Sequence, residues 1–508
     1  MQIVRANYFQ HIFMKIFMYT KKKIFIIFIY FVLIAFVLIG VMSSPNKSDT
    51  ELRVLFSRLY RLGKDTPIID PFNTETVDEY YLLENLTVGL VRDSSDDLRG
   101  YEPGLAEKWW QVNPTAWSFK IQNLKWSDGQ PITLNQIKEN LLRLKTSNGR
   151  HILYMRALKD IYINYELNEI LLQFSEPVNS GLIHELSLAD SGLLHTNNLK
   201  SDWNITSGPY AVSNIDLVSG QIMLKLNEHC PLTRKASYKK IKLFFPQDAS
   251  EILRSFSEFP FDIHALPPYK FREKPQILIK NAPRSKLSTA NLIYFFAFNP
   301  DNIQKNSIST RIRFASAFRE FPIILPEGIK SNNQMLPFGY AGHLSDFTIK
   351  IKRLVSYPEI NIKILLPAAL KETTLLLDSI RSSLKMVGFA TEITFNDSQK
   401  FDSTVFAQLY NFKGNQRESL GSWAFLFSEG NGPLSFFRPQ VELLFKQVTA
   451  VQDENARKNT LLELHIKVLE EVFAVPIAVE PSIVLHSERI KLNRWNLFDL
   501  RTRYYEVE

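Results

Sequence analysis

One cysteine, Cys230, stands among 508 residues. Without a second thiol there is no intramolecular disulfide and no CxxC metal or redox pair. Cys230 therefore reads as a small, half-buried side chain rather than a catalytic thiol. Other chemistry is missing in the same way. The chain has no GxSxG elbow, no HExxH pair and no GxxxxGK[ST] phosphate loop. His184-Glu185 lacks a second histidine at zinc spacing, and the nine histidines are scattered. Asp262 and His264 are two apart, on one face of a strand, but two residues do not make a metal site. No nucleophile, base and orienting group can be assembled, so a hydrolase is set aside and the chain reads as a non-enzyme without metal or cofactor. No internal repeat or low-complexity block occurs beyond the apolar N-terminal segment.

Basic blocks are absent from the body of the chain. The net charge is +8, but Arg5, Lys15, Lys21, Lys22 and Lys23 all lie in the first 43 residues, which hold no acid. Most of the excess thus belongs to the N-terminus, and no Lys/Arg stripe marks a nucleic-acid surface. The composition, 45% apolar and 22% charged, is that of a globular chain. At this length two or three domains are expected.

What the sequence does have begins with a long hydrophobic run. After Lys21-Lys22-Lys23, residues Ile24 to Met42 carry no charge over 19 positions. As a helix, that run spans about 28 Å, enough to cross a bilayer core. Secretory apolar regions are shorter, about 7–15 residues. Val41 and Ser43 are still small enough for cleavage before Ser44. Both readings stand, with an uncleaved anchor preferred to a cleaved signal. The basic flank predicts the N-terminus inside and the body outside. A polar linker follows at 44–50.

The most informative stretch runs from Gly104 to Leu144. It reads as a short helix bearing Trp109 and Trp110, then a strand in which Trp117, Phe119 and Ile121 alternate. Ser127-Asp128-Gly129 supplies turn chemistry, with Gly129 free to take positive φ. Thr133 can cap a helix whose Ile137, Leu141 and Leu144 share one face. Elsewhere, LRVLFSRL (52–59) alternates as a strand, and Tyr80 to Val91 shows helical spacing until Gly89. A Ser219-Gly220 turn joins two strands. Asn291 to Pro300 is an apolar strand, Arg311 to Phe318 a helix, and 360–395 a β-α-β unit. A last helix starts at Asp453 and leads to the strand VPIAVEP.

The order of these pieces resembles the family 5 extracellular solute-binding proteins, the peptide- and nickel-binding group that serves ABC importers. LKWSDG after a WSF strand and before a Pro131-Ile132-Thr133 helix start carries the likeness, together with Thr206-Ser207-Gly208-Pro209-Tyr210 and Asn291 to Pro300. The markers run from about residue 51 to 490. Many bacterial members are lipoproteins with a cysteine just after the apolar run. Here the region reads GVMSSPNKS, which excludes that attachment. The resemblance implies an α/β, periplasmic-binding-protein-like, two-lobed fold of type II with an extra subdomain, placed after the N-terminal transmembrane or signal helix (1–43). Lobe I would combine 51–82, 200–285 and 480–508, with 83–199 as its inserted subdomain. Lobe II would be 286–479.

For function, the resemblance implies a solute-binding component that closes around a peptide-like ligand and docks on an ABC permease, as a monomer on the periplasmic face of the inner membrane. The stretch Leu409 to Ser428 aligns with the family segment that holds the peptide's free amine on an aspartate. This chain has Asn415 at that position, and Phe412 stands where the family has tryptophan. Phe412, Gly414 and Asn415 are the expected ligand-binding residues, with Glu418 as the candidate counter-charge. An enclosed ammonium needs such a charge, because burying it unpaired costs several kcal/mol. Three readings stay open: a peptide held through its backbone, a ligand without a free amine, or a cleft turned into a partner-binding surface. The last corresponds to a membrane-anchored sensor or scaffold.

Overall fold

The computed structural model of the chain describes residues 51–508 apart from 57–76, 95–99, 147–152, 199–201, 217–218, 246–260, 267–283, 303–306, 322, 327–328, 338–339, 345–357, 397–403, 414–418, 429–431 and 493–502. The expected anchor or signal at 24–42 and the linker at 44–50 lie outside the described residues. Among the described residues, no helix is long and apolar enough to cross a membrane.

The first part of the chain runs β1 (Glu51–Leu55), α1 (Val77–Leu86), β2 (Val91–Asp93), β3 (Tyr101–Pro103), β4 (Ala106–Asn113), β5 (Ala116–Ile121), α2 (Leu134–Thr146), β6 (Leu158–Asn164), β7 (Glu169–Phe174) and α3 (Gly181–Glu185). Next come β8 (Tyr210–Asp216), β9 (Gln221–Leu226), β10 (Lys240–Phe244), β11 (Ile263–Leu266), β12 (Arg284–Phe298), α4 (Ile308–Glu320), β13 (Lys330–Ser331) and β14 (Ile360–Leu366). The chain closes with α5 (Thr374–Met386), β15 (Phe389–Phe395), β16 (Ala407–Lys413), α6 (Ser419–Leu426), α7 (Arg438–Ala450), α8 (Glu454–Glu470) and β17 (Ala474–His486).

Among the described residues, eleven strands form one mixed sheet, in the order β15-β14-β16-β12-β17-β11-β1-β10-β9-β8, with β13 also paired to β17. A separate antiparallel sheet has the order β4-β5-β7-β6. The two longest strands, β12 and β17, run through both halves of the large sheet. Their pairing slips near Leu287–Leu292 and again at Tyr294/Phe295, where Pro481 opposes Ala290 and Pro476 opposes Phe295. Proline cannot donate to a ladder, so the strands bulge at these points.

Among the described residues, three apolar clusters lie around this frame. One gathers β1, β8 to β11, α1 and the C-terminal residues Tyr504, Tyr505 and Val507. A second lies between α4, α5 and one face of β12, β14 and β16. The third joins the four-stranded sheet and α2 to α6, α7, α8 and the other face of β12. Residues of β12 alternate accordingly: Ile293, Phe295 and Ala297 enter the third cluster, and Leu292, Tyr294, Phe296 and Phe298 the second. With both faces covered, a strand reads as a continuous apolar run, which explains NLIYFFAF.

Local signals hold in several places. Gly129 has φ +89° in the expected turn. Thr133 and Gln136 form a reciprocal cap at the start of α2, Gln136 N donating to Thr133 Oγ1 at 3.3 Å and Thr133 N to Gln136 Oε1 at 2.9 Å. Asp453 caps α8 by accepting from Ala456 N at 2.7 Å. One expectation is corrected: Trp109 and Trp110 belong to strand β4, not to a helix. Trp109 pairs with Phe119 and Trp110 with Ser118, so the two indoles take opposite faces of a sheet. Trp109 packs against the core and Trp110 is exposed. Two strands are longer than expected, β12 beginning at Arg284 and β17 running on to His486, because each completes the other across both halves of the sheet.

Candidate functional site

Strand β16 delivers the first expected ligand residue. Phe412 pairs with Ile293 of β12 and packs edge-on against Phe295, with ring centroids 5.8 Å apart. It is buried, at 5% exposure, and Tyr410 stacks on the same Phe295 at 6.0 Å. Gly414, Asn415 and Glu418 lie outside the described residues. They fall in sequence between Lys413, the last residue of β16, and Ser419, the first residue of α6. Phe412 is thus firmly packed on β12.

The first turn of α6 faces α3. A Cβ built on Gly421 would stand 3.9 Å from His184 Nε2, in ordinary contact. His184 is buried, and the Tyr101 ring lies 6.4 Å from it. Nearby, the Ser187 hydroxyl reaches the fully buried Asp93 at 2.8 Å. Glu185 accepts three backbone N–H bonds, from Leu153 at 2.5 Å, Tyr154 at 2.6 Å and Met155 at 2.8 Å. Burial still outweighs those donors and pushes its carboxyl up to about 7. His184-Glu185 therefore builds the wall opposite α6 rather than a zinc site, and among the described residues no cluster of three ligating groups exists.

Behind α6, Trp423 is fully buried between Phe427, at 6.2 Å, and His465, at 5.5 Å. Its Nε1 meets no hydrogen-bond partner among the described residues. Sequence reasoning had no means of finding the His184–Gly421 approach, since neither residue carries a local motif and they come from distant segments.

The remaining candidates are placed as structural groups. Asp262 is buried, accepts Arg53 N at 2.7 Å and binds the Arg489 guanidinium. His264 Nδ1 lies 2.9 Å from Leu55 O, and burial drives its pKa down to about 4. Cys230 is buried, and desolvation raises its thiol to about 11, so it carries no thiolate near neutral pH. It helps line a cavity of about 220 Å³ with Val88, Arg92, Gln122, Lys125 and Ser207. That is below the range of roughly 300–1,000 Å³ usual for ligand sites.

Residues 100–315 match the family model described as bacterial extracellular solute-binding proteins, family 5, middle region. The periplasmic oligopeptide-binding protein OppA of Salmonella typhimurium is 34% identical over 88 residues, which is 17% of this chain and 16% of that protein. The chain thus spans about a sixth of the length of this curated relative. Among solved structures, the periplasmic binding protein AgaA of A. tumefaciens R10, in complex with agropinic acid, aligns with TM-score 0.72 at 15% identity. The alignment covers 90% of this chain and 98% of AgaA. DppA from Helicobacter pylori, in complex with the peptide STSA, aligns with TM-score 0.72 at 14% identity over 90% of this chain and 97% of DppA. At such identities the likeness is one of fold: the α/β fold of two-lobed periplasmic binding proteins. These relatives are binding proteins, not enzymes.

Proposed function

We propose that this chain, a family 5 extracellular solute-binding protein over residues 100–315, binds a peptide-like ligand between two lobes and presents it to an ABC permease. The lobes are those expected from the sequence: 51–82 with 200–285 and 480–508, carrying 83–199, against 286–479. The observation that carries the reading is the pair of bulged strands β12 and β17, which run through both halves of the sheet. A ladder that slips where two prolines of β17 oppose β12 bends there more readily than a regular one. Closure follows because ligand contacts both lobes only in the closed state and shifts the population toward it.

In this reading Phe412 forms the packed floor of the site, and residues 414–418 meet the ligand through Gly414 and Asn415. Asn415 accepts a hydrogen bond but carries no charge, so Glu418 is the counter-charge for an ammonium. The body faces the periplasm, held by residues 24–42. The test is calorimetric titration of the full chain with short peptides and with their N-acetylated copies. Binding of the free-amine set supports the counter-charge role of Glu418. Equal binding of both sets moves the ligand class to blocked peptides or other small solutes. No heat with either set contradicts solute binding and favours the anchored sensor or scaffold.

A further inference from the structure

Helix α7 ends without a glycine: the chain reads Val448-Thr449-Ala450-Val451-Gln452, and Val451 is extended at φ −67°, ψ 124°. The last carbonyls of a helix have no partner inside it, and a left-handed glycine is the common solution. Here Asn179, in the turn before α3, supplies one from a distant segment. Its Nδ2 donates to Val448 O at 2.7 Å and to Val451 O at 2.9 Å, and its backbone N donates to Thr449 O at 3.2 Å.

The amide is locked in that orientation. Asn179 Oδ1 accepts from Tyr154 Oη at 2.9 Å and from Gly181 N at 2.9 Å, so both Nδ2 donors and the acceptor are in use. A Cβ at Gly181 would stand 2.0 Å from Tyr154 Oη, so glycine at 181 is what lets the tyrosine reach the amide. Asn179 is 2% exposed. Beside it, Gln111 Nε2 donates to Val178 O at 2.9 Å and to Gln452 Oε1 at 3.1 Å.

We propose that Asn179 is a clasp: by capping α7 from the 83–199 segment, it holds that segment against the 286–479 segment without ligand and sets how often the cleft opens. This rests on the hinge reading above. Opening the cleft strips the caps from α7 and leaves the bulk of the Asn179 amide unmatched. The closed, binding-competent fraction is then partly built in, and apparent affinity scales with that fraction.

The experiment places spin labels at Tyr165→Cys and Leu443→Cys in the full chain, both native side chains being well exposed and Cys230 buried against labelling. Distances are read by double electron–electron resonance without ligand and with a pool of random tetrapeptides. Asn179→Asp keeps the acceptor for Tyr154 and Gly181 but loses both donors to α7. It is expected to raise the open-to-closed ratio roughly thirtyfold, from the loss of two net hydrogen bonds. Tyr154→Phe frees the amide to rotate and is expected to move the ratio the same way by a smaller factor, in a protein whose melting midpoint shows it folded. A distance distribution unchanged in both variants overturns the clasp. If the unliganded wild type already shows two populations that neither variant shifts, the clasp fails and the hinge stands. One rigid distance in every protein, with or without peptides, sinks the hinge reading too.

Discussion

Replacing His465 by glutamine probes how α8 is tied to the residues around Gly342. His465 is fully buried, its Nε2 accepts from Met335 N at 3.1 Å, and its Nδ1 donates to Gly342 O at 2.8 Å. A proton on Nε2 would confront the Met335 N–H, so the geometry requires the neutral ring. Desolvation, offset in part by the bond to Gly342 and reinforced by His343, drives the pKa from 6.5 down to about 4. The unfolded chain therefore binds a proton that the folded chain refuses between those values. The stability this residue contributes is complete above pH 6.5 and is lost as pH falls toward 4. At 1.36 kcal/mol per unit, the whole shift is worth about 3 kcal/mol.

Other buried groups titrate in the same range, so the measurement is a difference. His264, also driven down to about 4, has the same sign. Glu185 has the opposite one: with its carboxyl raised to about 7, its contribution is present below 4.5 and is lost as pH rises toward 7. Subtracting the His465→Gln curve from the wild-type curve cancels both. Urea unfolding of the full chain from pH 4.5 to 7.5 should give a stability difference that grows with pH, by up to about 1.4 kcal/mol per pH unit, and flattens near pH 7. Glutamine can still accept from Met335, so the variant remains folded. Two parallel curves would refute the claim that His465 is held neutral.

Three further outcomes follow from the same contacts. Arg503 is buried, binds Glu84 at 3.0 Å and Asp93 O at 2.8 Å, and ties the C-terminal residues to α1. Arg503→Ala should cost about 3–5 kcal/mol in urea unfolding, because the largely covered Glu84 carboxylate is left uncompensated, and a loss below about 1 kcal/mol would contradict that pairing. Phe412→Ala should cost about 3–5 kcal/mol, as expected for a packed aromatic; near-neutral stability would mean that the Phe295 contact carries little. Asn415→Asp should raise affinity for free-amine peptides about tenfold or more if residue 415 faces the ammonium, and an unchanged dissociation constant in a folded variant would remove that role.

Where the signal was local, it was legible. The Thr133 cap, the Gly129 turn, the Asp453 cap and the parallel pair β14 and β15 around α5 each rest on a few neighbouring residues whose chemistry admits one solution. Phe412 was named from its alignment with a tryptophan of the family, and its packing on Phe295 emerges only from the pairing of β16 with β12. The Trp109-Trp110 pair was misread because adjacent tryptophans carry no period of their own, and only registry with Phe119 and Ser118 makes them a strand. Asn179, His184 and His465 acquire their roles from partners such as Val448, Gly421 and Met335. No window of sequence contains both members of any of these pairs.

Native mass spectrometry of the full chain, purified in detergent from its own host's envelope, decides whether this protein encloses a solute. A solute-binding protein releases a co-purifying small molecule on activation, with a fragmentation pattern that reads as a short peptide. A protein that flies empty, and whose melting midpoint no peptide pool moves, would contradict solute binding.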